Sequence, residues 1–178
     1  MEIKTERLLL RDFMESDLAA VHRYAAHSQV ARYMLWGPNT REQTEQFLAM
    51  VMGHSQQSPR QAYHLAITLK QDGRLIGSCS LECHEQGQGE IGYVLHPDFW
   101  RNGYAAESAK ALLDYGFNER GLHRIYATCR PENSGSAGVM KKLGMKYEGH
   151  LREHLYAKGR WHDSCQFSIL AREFNEAF

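Results

Sequence analysis

The segment Leu95-His96-Pro97-Asp98-Phe99-Trp100-Arg101-Asn102-Gly103-Tyr104-Ala105-Ala106-Glu107 constrains this chain more than any other. An extended run, Glu90-Ile91-Gly92-Tyr93-Val94-Leu95, ends at a proline. A short basic loop with a glycine follows, and a long amphipathic helix then begins. A loop at a helix N-terminus leaves backbone N–H groups unpaired and parallel, and the helix dipole adds roughly half a positive charge there. Such a turn suits a phosphate or pyrophosphate. Gly103 lets the backbone approach an anion closely, because it has no Cβ. Arg101 adds a fixed positive charge. The plainer reading is an ordinary strand-to-helix turn, since short glycine motifs recur without function.

With 178 residues the whole chain, 1–178, reads as a single domain large enough for a substantial core. Lys+Arg and Asp+Glu are equal at 21 each, a balance that argues against generic nucleic-acid binding. No apolar run approaches the roughly 20 residues of a membrane span. The N-terminus Met1–Arg7 lacks an apolar signal core, so a cytoplasmic location is expected. Cys79, Cys83, Cys129 and Cys165 all fall in strand-like stretches, which fits buried reduced thiols. Cys79, Cys83 and His84 lack the spacing and the second cluster of a zinc knuckle, so no metal is expected.

The periodicity predicts the order β-α-α-β-β-β-α-β-α-β-β. Leu8–Leu10 forms a short strand, and Ser16 caps a helix over Asp17–His27. Thr40 and Gln43 sit in capping-box register before a second helix whose buried stripe is Phe47, Leu48 and Val51. Residues 53–59 read as a polar loop. Leu65, Ile67 and Leu69 alternate along a strand, Asp72-Gly73 marks a hairpin, and the next strand runs from Arg74 to Cys83. Gln86–Gly89 turns the chain into the strand that feeds the basic loop. Ala105, Ala109, Leu112, Leu113 and Phe117 form the stripe of the following helix, which Gly121 stops. Ile125, Ala127 and Cys129 alternate along a strand. Pro131–Ser134 opens a fourth helix ending at Gly144. Strands around Tyr147–Tyr156 and Ser164–Leu170, joined by Lys158–Trp161, complete the chain. The expected fold class is α+β, a mixed, mostly antiparallel sheet of about seven strands flanked by four helices.

Several segments spread along the chain carry a resemblance. They are Thr5–Arg11 with Asp17, Glu90-Ile91-Gly92-Tyr93, Trp100–Glu107, and the late group Asn133, Ser136, Leu143, Gly144 and Met145. In these segments the chain resembles the GNAT superfamily of acyl-CoA-dependent N-acyltransferases, and within it the RimJ/RimL-type group of ribosomal-protein N-terminal acetyltransferases. Two departures stand out: Trp100 replaces the usual Gln or Arg, and Met145 replaces Phe, a conservative packing change.

The resemblance implies acetyl-CoA as co-substrate, held by Leu95, Arg101, Asn102, Gly103, Tyr104, Ala105, Ala106, Asn133 and Ser136. Lys141 and Lys142 either meet CoA phosphates or form a solvated helix face. An amine would attack the thioester directly. Leu95 would offer a backbone N–H to the oxyanion, Ser136 would protonate the departing thiolate, and Asn133 would bond the pantetheine arm. Glu90 is the candidate general base, with Glu82 or water as alternatives. His84, His96, His123, His150, His154 and His162 are weaker candidates. Tyr93 and Tyr104 read as packing residues. Trp36 either borders the acceptor cleft or packs in the core. The implied acceptor is a primary amine, such as a protein N-terminal α-amine. A small-molecule amine (amino-sugar antibiotic, polyamine or amino acid) is an alternative within the same fold. A non-catalytic acyl-CoA sensor is the alternative from another class, disfavoured by the Asn133/Ser136 pair. A homodimer would follow family habit.

Overall fold

The computed structural model describes residues 1–177. An eight-stranded sheet runs in the order β1-β2-β3-β4-β5-β6-β8-β7. Its strands are β1 (Glu2–Lys4), β2 (Leu8–Arg11), β3 (Ala62–Leu69), β4 (Leu75–His84), β5 (Gln88–Leu95), β6 (Arg124–Cys129), β7 (Lys146–Ala157) and β8 (Arg160–Leu170). Every neighbouring pair is antiparallel except β5–β6, which is parallel. The helices are α1 (Leu18–Ala25), α2 (Ser28–Ala31), α3 (Arg41–Ser55), α4 (Tyr104–Asp114), α5 (Ser134–Lys142) and α6 (Ala171–Ala177). The mixed α+β class agrees with the sequence reading. The extra elements, β1, α2 and α6, are short.

Helices α4 and α5 pack on one face of the sheet. Ala109, Leu112 and Leu113 of α4 are fully buried against Leu65, Ile67, Leu81 and Ile125 in the main core. A π-turn over Tyr115–Glu119 extends α4, and Gly121 at φ +66° ends it. Gly116 is what lets this turn approach β6, because a Cβ there would lie 2.6 Å from Ile125 Cδ1. On the other face, α1 and α3 enclose a second core of Val21, Tyr24, Leu48, Val51, Ala66 and Leu75.

Four local expectations are corrected. Ser16 does not cap α1. Glu15–Asp17 form a 3-10 turn instead, and Asp17 Oδ2 accepts the Met14 N–H at 2.9 Å. Residues 53–55 continue α3 rather than opening a loop, because burial of Leu48 and Val51 outweighs one glycine in the final turn. The strand expected after the Gln86–Gly89 turn starts at Gln88, two residues early, since Gln88 already pairs with His84 and Arg124. The last hairpin is tighter than expected, with Lys158-Gly159 alone at its tip and Trp161 already in β8, paired to Tyr156. No helix among the described residues is long and apolar enough to cross a membrane.

Candidate active site in the split between two parallel strands

β5 and β6 pair over only Gln88↔Arg124, Gly89↔Ile125 and Glu90↔Tyr126. Beyond Glu90 the strands diverge while β5 stays paired to β4 as far as Leu95↔Gly77. The His96 N–H donates to Ile76 O at 2.9 Å, which fixes the phase of the antiparallel ladder. By that alternation the N–H groups of Tyr93 and Leu95 face away from β4, into the split. The Leu95 carbonyl is already taken by the Trp100 indole N–H at 2.8 Å. Trp100 thereby ties the loop back onto the strand end.

The Tyr93 side chain bridges the split. Its hydroxyl lies 3.0 Å from Ser136 Oγ and 3.0 Å from the Ser136 carbonyl. Burial pushes the Tyr93 phenol well above its ordinary range, so it stays protonated. Ser136 sits in the first turn of α5, where Asn133 Oδ1 accepts its N–H at 3.1 Å. The Asn133 side-chain carbonyl is thus the N-cap of α5.

The basic loop has the geometry of an anion cradle. Arg101 and Gly103 have left-handed backbones, with φ of +62° and +82°. The first α4 donor with an intrahelical acceptor is Glu107, to Gly103 O at 3.0 Å. The N–H groups of Tyr104, Ala105 and Ala106 therefore form the open end of the helix. Arg101 and Asn102 are exposed beside it. A phosphate fits this site: the N–H groups of Tyr104, Ala105 and Ala106 are open at the helix end, and the left-handed Gly103 turns the chain into them.

Glu107 holds this loop against the start of the chain. It accepts from Thr5 Oγ1 at 2.6 Å, from the Arg7 N–H at 2.8 Å and from Arg7 Nε at 2.7 Å. The Arg7 guanidinium also donates to the Asn102 carbonyl at 3.0 Å and lies 4.5 Å over the Tyr104 ring. Desolvation alone would raise the Glu107 carboxyl, but the bonds from Thr5 and Arg7 outweigh it and hold the carboxyl below its usual range.

On the α1/α3 side of the sheet lies a cavity of about 710 Å3. Trp36, Phe47, Met50, His64, Tyr93 and Lys158 are among its walls. A smaller recess of about 180 Å3 adjoins it, lined by Ser80, Glu82, Glu90, Ile91 and Gly92. Glu82 and Glu90 are direct cross-strand partners. Burial pushes the Glu90 carboxyl above its ordinary range, and the Glu82 charge adds to this against a hydrogen bond from Tyr126. Tyr126 in turn stacks on His84, with its hydroxyl 3.4 Å from Nε2. His64 Nε2 stands 3.8 Å from Glu82 Oε1, and burial lowers its basicity.

The structure brings Leu95, Ser136 and Asn133 to the split, with Arg101, Asn102, Gly103, Tyr104, Ala105 and Ala106 in the loop that opens from it. Glu90 stands at the last paired position, between the split and the recess. Trp36 lines the large cavity and is not a core residue. Lys141 and Lys142 are exposed at the far end of α5. His150 and His162 are engaged elsewhere, with Asp163 at 2.6 Å and the Ala157 carbonyl at 3.0 Å. Tyr104, read from sequence as packing, carries the Arg7 guanidinium on its ring. Sequence reasoning missed Tyr93 as a partner of Ser136, and Thr5 and Arg7 as supports of the loop. Tyr126 was also missed. Its signal was available, since Arg124, Tyr126 and Thr128 alternate with the buried Ile125, Ala127 and Cys129.

Comparison with known proteins converges on the same fold. Residues 7–146 match the family model described as acetyltransferase (GNAT) domain. The uncharacterized N-acetyltransferase YnaD of Bacillus subtilis is 38% identical over 176 residues, covering 98% of this chain and 100% of the relative. A crystal structure of a GNAT-family acetyltransferase from Bacillus anthracis superimposes with a TM-score of 0.88 at 38% identity, covering 97% and 99% of the two chains. Mycobacterium smegmatis RimJ, solved with CoA-disulfide, shares the fold with a TM-score of 0.84 at 24% identity, covering 97% and 88%. A sheet split between two parallel strands, an open helix end at its mouth and these matches lead to one conclusion: the chain belongs to the GNAT family of N-acetyltransferases.

Proposed function

We propose that this enzyme transfers the acetyl group of acetyl-CoA to a primary amine by direct attack within a ternary complex. The observation that carries this reading is the split itself, where β5 loses its β6 partner beyond Glu90, Ser136 meets Tyr93 across the gap, and the strand end leads into the loop at the α4 N-terminus. The backbone N–H groups of residues 102–106 would hold the pyrophosphate, with Arg101 beside them. The free edge of β5 and the Asn133 amide would hold the pantetheine arm.

The acceptor reaches the site as an ammonium ion and must lose one proton before attack. Glu90 is placed to take it, directly or through water, and its raised carboxyl basicity suits the task. The amine nitrogen then bonds to the acetyl carbon. The Leu95 N–H faces the oxyanion, a contribution typically worth roughly 10²–10³ in rate. As the C–S bond breaks, Ser136 donates a proton to the sulfur and regains one from the nitrogen or solvent. The products are the N-acetylated amine and CoA thiol, with one proton released overall.

Calorimetric titration of acetyl-CoA into the wild type and into Gly103→Glu tests the co-substrate and its cradle. The wild type binds and the folded variant loses binding, because a negative side chain then stands in the loop beside Arg7 and repels the pyrophosphate. Absence of wild-type binding overturns the reading. Equal binding by both proteins keeps the co-substrate and removes the pyrophosphate from this loop.

A further inference from the structure

The large cavity and its acidic recess differ sharply in character. Leu35, Trp36 and Met50 are 43%, 37% and 47% exposed, among the few large apolar side chains left open to water, and all three line the same cavity. Convergent exposed apolar groups mark a binding surface. Among the described residues no carboxylate lines this cavity, and Lys158 is its one lysine or arginine. The Lys158 ammonium donates to the Ala31 carbonyl at 2.7 Å, tying the β7–β8 tip to the end of α2 and bounding the cavity on that side. The carboxylates line the adjoining recess, Glu82 exposed and Glu90 half-buried. Ser80 and Gly92 line both the cavity and the recess that holds Glu82 and Glu90. A Cβ at Gly92 would lie 3.0 Å from Ser80 Oγ, so glycine at this position keeps the junction open.

We propose that the acceptor is a small amine with one positive charge at the end of an apolar, ring-sized body, its ammonium directed to Glu82 and Glu90 and its body against Trp36, Phe47 and Met50. This assignment rests on the acetyltransferase reading above. The two carboxylates complement one ammonium group and lie next to the split where the thioester carbonyl would be presented. A polyamine fits poorly. Its second ammonium would be drawn out of water into an apolar chamber, near Lys158 and with no carboxylate to pair. An extended protein N-terminus would carry peptide N–H and C=O groups past Trp36, Phe47 and Met50, apolar walls that offer them no partner. The volume of about 710 Å3 lies within the range of small-molecule sites.

The test measures thiol release from acetyl-CoA by the full chain with 2-phenylethylamine, spermidine or a hexapeptide bearing a free N-terminus. The expected result is a kcat/KM for 2-phenylethylamine at least about tenfold above both others, a difference of roughly 1.4 kcal/mol. Trp36→Ala, at a half-exposed position, is expected to raise the KM for 2-phenylethylamine about fivefold or more, with the calorimetric Kd for acetyl-CoA unchanged. Preference for spermidine or for the peptide overturns the assignment, as does an unaltered KM in Trp36→Ala. Acetyl-CoA binding without turnover of any of the three also overturns it, while the acetyltransferase reading stands. Failure to bind acetyl-CoA overturns both.

Discussion

The Tyr93 hydroxyl rests 3.0 Å from Ser136 Oγ, across the gap where β5 and β6 have parted. It also lies 3.0 Å from the Ser136 carbonyl, and it carries a single proton. When that proton goes to Oγ, the Ser136 hydrogen is free to point at a sulfur in the split. When it goes to the carbonyl, Ser136 donates back to Tyr93 instead. Tyr93 is thus a positioning residue for the proposed acid. Ser136→Ala is expected to lower kcat by roughly 10²-fold, the usual scale of a lost general acid. Tyr93→Phe keeps the ring and is expected to lower kcat about tenfold, with the KM for acetyl-CoA little changed. Because both act through one hydroxyl, the double variant is expected to match Ser136→Ala alone. Steady-state kinetics of the four proteins checks this, and additive losses would show that Tyr93 acts independently.

Glu90 gives a pH prediction with two readouts. Its carboxyl is raised by burial, with the Glu82 charge adding to the effect. A base must be ionised, so kcat/KM is expected to fall on the acid side at a pH above the ordinary carboxylate range, and Glu90→Gln is expected to lose activity by roughly 10²-fold. Stability moves the other way. A carboxyl raised on folding binds its proton more tightly in the folded state, so ionising it costs stability. That cost is absent below the unfolded value near about 4.3 and fully present once pH exceeds the folded value. Glu90→Gln is therefore expected to raise Tm at pH 7 and to leave it nearly unchanged at pH 4. An equal shift at both pH values would mean that Glu90 titrates as in the unfolded chain.

The strands and helices were legible wherever one periodicity dominated. Leu65, Ile67 and Leu69 in β3 and Ala109, Leu112 and Leu113 in α4 bury the faces their spacing announces. The strand–loop–helix around Gly103 was legible because a proline ends the extended run and an apolar helical stripe begins just after the glycine. Contacts between distant segments were not. Nothing local links Thr5 and Arg7 to Glu107, about a hundred positions away, and each reads alone as a surface polar residue. Tyr93 reads as packing because a phenol in a strand usually is. Its role comes from the divergence of β5 from β6, which opens the gap across which its hydroxyl reaches Ser136. Short edge elements such as β1 were missed because three residues carry too little periodicity to register.

Asp17 anchors the turn that launches α1. Its carboxylate accepts from Arg11 Nη1 at 2.7 Å and Nη2 at 2.8 Å, and from the Met14 N–H at 2.9 Å. The pair is largely buried, with side-chain exposures of 16% for Arg11 and 7% for Asp17. Removing one member leaves the other charge without its partner. Asp17→Ala is expected to cost on the order of 3 kcal/mol by urea unfolding. Arg11→Met is expected to cost less, since its apolar stem is retained and Asp17 keeps the Met14 N–H. A loss below about 0.5 kcal/mol in Asp17→Ala would place the pair with ordinary surface ion pairs.

Glu107 couples the stability of the fold to the shape of the loop proposed to hold the pyrophosphate. Its carboxylate takes bonds from Thr5 and from Arg7 backbone and side chain, while Arg7 also holds the Asn102 carbonyl inside the loop. Glu107→Gln keeps the size but removes the charge and turns one oxygen into a donor facing donors. The expected cost is roughly 2 kcal/mol, the scale of charge-assisted hydrogen bonds. The carboxyl is held below its usual range in the folded state despite desolvation. Its stabilisation is therefore present above the unfolded value near about 4.3 and fades as pH falls through the lower folded value. The difference in Tm between wild type and Glu107→Gln is expected to be large at pH 7 and to shrink towards pH 3. Calorimetry on the same variant is expected to show weaker acetyl-CoA binding, because Asn102 and Gly103 lose the guanidinium that fixes them. A variant with lowered Tm and unchanged acetyl-CoA affinity would separate the two roles and assign Glu107 to the fold alone.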